Sequence, residues 1–131
     1  MRFASYDIAV LGCGPAGLSA AINAVIRNKR VIVLGSDLCS PPMHKAQKID
    51  NYLGFPNIKG GDLLEKFLNH AQSMNIEMVN SKAVMINRSE EGFNILVNNE
   101  IVNARAVIIA TGIPYKQTLP NENRYLGNGL G

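Results

Sequence analysis

The sequence predicts a three-layer α/β fold with a central parallel sheet and an inserted three-stranded β-meander. Three observations predict it. Tyr6 to Gly17 read Y-D-I-A-V-L-G-C-G-P-A-G, an apolar strand that runs straight into Gly-x-Gly-x-x-Gly and then a helix. A second apolar run at 31–34 completes a strand–helix–strand unit, which closes as a right-handed crossover. From Ile76 the hydrophobic period switches to that of strands, in short runs separated by turn residues.

Each element has its own local reason. At 7–11, Ile8, Ala9, Val10 and Leu11 are continuous rather than alternating, as in a parallel strand covered on both faces. Pro15 suits the turn with its fixed φ, and 16–28 forms a helix with Leu18, Ala21, Ile22 and Val25 on one face. The basic cluster Arg27-Asn28-Lys29-Arg30 falls at the end of that helix, where positive charge complements the dipole. Residues 36–59 carry Pro41-Pro42, Gly54 and Pro56 and little periodicity; a loop of that length in a compact domain is usually functional. Asp62-Leu63-Leu64-Glu65 reads as a capping box with Asp62 as N-cap, and Leu64, Phe67, Leu68, Ala71 and Met74 form the buried face of the helix behind it. A strand at 76–79 is expected to join the parallel sheet. Strands at 83–87, 93–97 and 100–104, joined by turns at 89–92 and Asn98-Asn99, make the meander. A buried run at 106–110 then ends in Thr111-Gly112, and the tail at 120–131 lacks a core pattern. Met74, Met78 and Met85 follow buried-face spacing and read as core filler.

Composition excludes several classes. With 47% hydrophobic and 18% charged residues over 131 positions, the chain is one globular domain's worth rather than a disordered segment. A net charge of +3 with scattered basic residues leaves no nucleic-acid footprint. The apolar stretch 8–26 is broken by Gly12, Gly14, Pro15 and Gly17 and carries Ser19 and Asn23, so it reads as a buried strand–turn–helix and not as a membrane span. Cys13 and Cys39 form neither Cys-x-x-Cys nor a metal-ligand spacing; they read as two free thiols suited to a reducing cytoplasm, with no redox role. His44 and His70 lack companion ligands, so no metal or general-base site is expected, and His70 is expected to be partly exposed.

The glycine motif carries the chemistry. Gly12 permits the tight turn out of the strand, Gly14 lets the backbone approach a pyrophosphate, and Gly17 lets the helix pack closely on the strand. The free N–H groups of the helix start point at the anion. The alternative is a packing device with no ligand.

The order of elements resembles the FAD-binding part of the low-molecular-weight thioredoxin reductase family. The resemblance rests on 6–24 (Y-D-I-A-V-L-G-C-G-P-A-G-L-S-A-A-I-N-A), 49–56 (I-D-N-Y-L-G-F-P), 106–112 (A-V-I-I-A-T-G) and 125–131 (Y-L-G-N-G-L-G). It implies a Rossmann-like FAD-binding domain over 1–131, with Gly12, Gly14, Pro15, Ala16 and Gly17 cradling the pyrophosphate. It further implies that Gly35 and Ser36 border the cofactor after the second strand, that Asn51 approaches the flavin edge, and that Ala110, Thr111 and Gly112 close over it. Other flavoproteins of this fold carry a ribose-binding Glu where this chain has Gly35, and glycine there is common in this family. Asp37 substitutes for that acid or is a solvated loop residue.

The family usually has Gly-Gly-Gln in the loop before Asp-Asn-Tyr, whereas this chain has Ser40-Pro41-Pro42; Lys45 or Gln47 then takes the missing glutamine's place at the flavin. Tyr52 and Phe55 either shield the flavin or pack the long loop onto the sheet. The family's redox Cys-x-x-Cys, NADPH motif and C-terminal FAD segment are not in these residues, so the resemblance implies the N-terminal part of a reductase, cut near the hinge and inactive alone as a disulfide reductase. The whole protein is then expected to be a cytoplasmic homodimer passing electrons from NADPH through FAD to an active-site disulfide and on to a thioredoxin-like protein. The alternatives are another FAD- or NAD(P)-dependent oxidoreductase of the same fold, and a non-catalytic nucleotide-binding fragment.

Overall fold

The computed structural model describes residues 5–36 and 39–113. The chain runs β1 (Ser5–Leu11), α1 (Pro15–Ile26), β2 (Val31–Gly35), α2 (Pro41–Lys45), α3 (Gly60–Ser73), β3 (Glu77–Asn80), β4 (Met85–Ser89), β5 (Gly92–Val97) and β6 (Glu100–Ile109). One six-stranded sheet takes them in the order β3-β2-β1-β6-β5-β4. The four strands from β3 to β6 in that order are parallel, and β5 and β4 continue it antiparallel. The expected fold class is the observed one.

The two faces of the parallel sheet bury different sets of side chains, as period-two alternation requires. Val31 and Val33 of β2 join Val10, Leu18, Ala21, Ala24, Ala71 and Ile76 beneath α1 and α3. Ile32 and Leu34 point the other way and join Tyr6, Ala9, Leu11, Ala104 and, from the meander, Ile95 and Val97. The meander strand β5 therefore covers the second face, which supplies the third layer. Ile95 is fully buried there.

The turns form for the reasons expected. Glu100 pairs with Val97, so Asn98-Asn99 is a two-residue loop, and both asparagines take positive φ (49° and 63°) as a twist-matched hairpin turn demands. Gly92 pairs with Ser89 around Glu90-Glu91. Arg27 Nη1 donates to the Asn23 carbonyl at 2.8 Å, so the basic cluster does satisfy the end of α1. Arg30 turns away instead: its backbone N–H donates to Asp7 Oδ2 at 2.9 Å, and its guanidinium lies 4.8 Å from the centre of the Tyr6 ring.

Four local expectations are corrected. The third meander strand and the run at 106–110 are one continuous strand, β6, and that run is not buried: Arg105 and Ala106 are both exposed, Val107 and Ile108 are half-buried, and Ile109 is exposed. The capping box at Asp62 does not form: α3 begins at Gly60 with Lys59 as N-cap, leaving Asp62 inside the first turn, where its charge suits the dipole. Gly60 opens the helix close against α2, where a Cβ would collide with the Met43 carbonyl. Met85 is half exposed on the outermost strand, although Met74 and Met78 pack against the core as expected. The long loop is not structureless either; it holds α2 and an antiparallel bridge between Ile49 and Ile58.

Candidate dinucleotide-binding site

The site lies at the C-terminal ends of β1, β2 and β6, where the connections of three parallel strands meet, the usual place for a ligand in an open α/β sheet. Backbone hydrogen bonds fix the convergence: Gly12 N–H donates to the Leu34 carbonyl and Ala110 N–H to the Leu11 carbonyl, each at 2.8 Å. Gly12 takes φ +109° and a Cβ on it would collide with the Ala110 carbonyl. A Cβ on Gly17 would collide with the Gly12 carbonyl. Two of the three motif glycines are thus required by the protein's own packing.

Gly14 is different. Its φ is −74°, which any residue adopts, and an added Cβ would meet only the Cys39 carbonyl oxygen at 3.5 Å and Ser40 Cβ at 3.9 Å, ordinary contacts. Nothing among the described residues forbids a side chain there. Gly14 is the N-cap of α1 and offers no side-chain hydrogen bond to the helix start. Pro15 has no N–H, and Leu18 N–H is taken by the Gly14 carbonyl at 3.0 Å. That leaves the first-turn N–H groups of Ala16 and Gly17 without an intrahelical acceptor, beside an open backbone and exposed Pro15 and Ala16. These donors and the open glycine have the chemistry to cradle an anion, and they fit a dinucleotide pyrophosphate.

The other expected residues fall into place unevenly. Gly35 ends β2 beside the loop, and Ser36 follows it. Ala110, Thr111 and Gly112 leave the end of β6, with Gly112 at φ +72°. Asn51 is exposed in the segment closed by the Ile49–Ile58 bridge. Tyr52 packs at a tilt against α3, its ring centre 5.3 Å from that of Phe67 and 6.3 Å from Phe55, so these aromatics pack the loop onto a helix. Lys45 and Gln47 line a cleft of about 440 Å³ with His44, Lys59 and Asp62. Asp37 and the tail at 120–131 lie outside the described residues. His44 and His70 are exposed. A cleft of about 970 Å³ opens at the opposite end of β1, between Ser5, Phe93, Ile101 and Arg105, away from the cradle.

Sequence reasoning missed one feature of the site. Cys13 and Cys39 are not free thiols; they form a disulfide across 26 residues. The pairing of Leu11 with Leu34 sets the loops after β1 and β2 side by side, which brings the two cysteines together. It also supplies a second reason for Gly35: a Cβ there would collide with Cys13 Sγ.

Fold and cradle define an α/β dinucleotide-binding domain. The pattern of the pyridine nucleotide-disulphide oxidoreductase family matches residues 6–130, and the chain belongs to that family. Within it the chain corresponds to the thioredoxin-reductase-like FAD-binding region. It is 29% identical over 126 residues to thioredoxin reductase of Bacillus subtilis, covering 95% of this chain and 40% of that protein. A ferredoxin-flavin thioredoxin reductase from Clostridium acetobutylicum superposes with a TM-score of 0.83 at 47% identity, over 98% of this chain and 44% of that one. Thioredoxin reductase of T. acidophilum superposes with a TM-score of 0.81 at 31% identity, over 95% of this chain and 41% of that one. The chain therefore spans less than half the length of these relatives, which are oxidoreductases.

Proposed function

We propose that this chain is the FAD-binding part of a flavin-dependent disulfide reductase. The observation that carries the reading is Gly14, the one motif glycine that packing among the described residues does not need and a pyrophosphate does. Ala16 and Gly17 would donate their N–H groups to the phosphate oxygens, with Gly12, Pro15, Gly35 and Ser36 shaping the walls. Asn51 would approach the flavin edge, and Ala110, Thr111 and Gly112 would close over the cofactor. Bound FAD supplies the two-electron redox chemistry; these residues bind it, orient it and hold its charge. The chain incubated with FAD and desalted is expected to elute yellow with flavin absorbance. A colourless protein would support a fragment without cofactor.

For the whole protein we propose electron flow to an active-site disulfide and then to a thioredoxin-like partner, in a cytoplasmic homodimer. The 131 residues alone are expected to lack disulfide reductase activity. NADPH is the donor that the thioredoxin reductase relatives suggest. A second reading, with ferredoxin as donor, is favoured by the 47% identity to the ferredoxin-flavin enzyme against about 30% to the others. Stopped-flow reduction of the full-length protein by NADPH or by reduced ferredoxin separates them. A Cys-x-x-Cys encoded shortly after residue 131 supports the disulfide reductase, and its absence leaves another oxidoreductase of the same fold.

A further inference from the structure

The Cys13–Cys39 disulfide sits in the cradle itself. Cys13 occupies the middle of Gly-x-Gly, and the Cys39 carbonyl lies 3.5 Å from where a Gly14 side chain would begin, on the border of the slot a pyrophosphate enters. The bond thus ties the loop after β1 to the start of the segment leading into α2. The two sulfurs differ in access. Cys13 is 4% exposed, whereas Cys39 is only half-buried. An incoming thiolate therefore reaches Cys39 Sγ, and Cys13 is the leaving group. It leaves just ahead of α1, where the N–H groups of Ala16 and Gly17 favour negative charge and so ease its departure. The Ser36 carbonyl lies 3.6 Å from Cys13 Sγ and 3.8 Å from Cys39 Sγ. In the disulfide neither sulfur carries a proton, so these are contacts; after reduction the same oxygen accepts from a thiol.

We propose that Cys13–Cys39 is a thiol-responsive latch on FAD affinity. Closed, it holds Cys39 and Ser40 against Gly14 and keeps the cradle in its binding shape. Opened, it frees that segment, and the cofactor is held less tightly because the preorganisation is lost. The reductant is a low-molecular-weight monothiol of the glutathione class. Its thiolate bonds to Cys39 Sγ and the Cys13–Cys39 bond breaks. A second thiol then displaces Cys39, so two monothiols become one external disulfide while the protein gains two electrons and two protons. The latch rests on the reading that Gly12–Gly17 binds FAD.

The test equilibrates the chain in glutathione buffers from fully oxidised to fully reduced, counts free thiols by alkylation and mass spectrometry, and titrates each sample with FAD by flavin fluorescence. The expected result is a dissociation constant that rises about tenfold in step with alkylation of both cysteines. Cys39→Ser and Cys39→Ala should show the weaker constant in every buffer with cooperative melting retained. Equal or tighter binding after reduction overturns the latch and leaves FAD binding standing. A disulfide that resists alkylation at every glutathione ratio is a structural staple, which also overturns it. No FAD binding in either state overturns the cofactor reading and the latch with it.

Discussion

Gly35 faces the Cys13 side chain with no room for a Cβ between them. The residue that stands where related flavoproteins place an acid is glycine here for a steric reason internal to the protein. Gly35→Ala is expected to cost about 1–3 kcal/mol through overpacking. In a Cys13→Ala background the cost should fall without vanishing, because the colliding sulfur is gone while the residue-13 Cβ still lies 2.9 Å from the added methyl. Urea denaturation of the two single variants and the double variant measures this, and an undiminished cost would locate the clash elsewhere.

The second face of the sheet depends on the meander. Ile95 is fully buried among Tyr6, Ala9, Leu11, Ile32 and Leu34, so Ile95→Ala is expected to destabilise the whole domain by about 2–5 kcal/mol. If β4 and β5 formed a separate appendage, the variant would melt in two steps with α1 and β1 unaffected. A single weakened transition, followed by circular dichroism, is the outcome that the shared core requires.

Tyr6 makes stability fall at alkaline pH. Burial, and then the neighbouring Glu77 carboxylate, push its hydroxyl from 10.0 up to about 12, with Arg30 opposing. A group whose pKa is raised on folding holds its proton longer when folded, so its contribution is complete below pH about 10. It is lost as pH rises from about 10 to about 12. Tyr6→Phe removes the ionisation and should flatten the stability profile over that window, which chemical denaturation at stepped pH will show.

The strand–turn–helix at the start of the chain was legible because glycine spacing and a continuous apolar run constrain each other. The Asn98-Asn99 turn was legible because two asparagines tolerate the positive φ that a tight hairpin needs. Strand limits were not: the runs at 100–104 and 106–110 read as two elements, yet exposed Arg105 sits inside one continuous strand held by its pairing with β1 and β5. Met85 showed a core spacing on a strand that has no covering layer among the described residues. The disulfide was hidden for a different reason. Twenty-six residues separate its cysteines, and only the register of β1 with β2 joins them. The role of Gly12 and Gly17 in close packing could be anticipated, but not that Gly14 alone is free of it.

That difference among the glycines is the most direct handle on the cofactor. Gly12→Ala and Gly17→Ala should each lose about 1–3 kcal/mol of stability, since both collide with backbone carbonyls.

Gly14→Ala meets no such obstacle. Its unfolding free energy should match wild type within about 0.5 kcal/mol, while FAD titration by flavin fluorescence shows affinity at least about tenfold weaker. An unchanged FAD affinity in a fully stable Gly14→Ala protein would contradict the assignment of this loop as the pyrophosphate cradle.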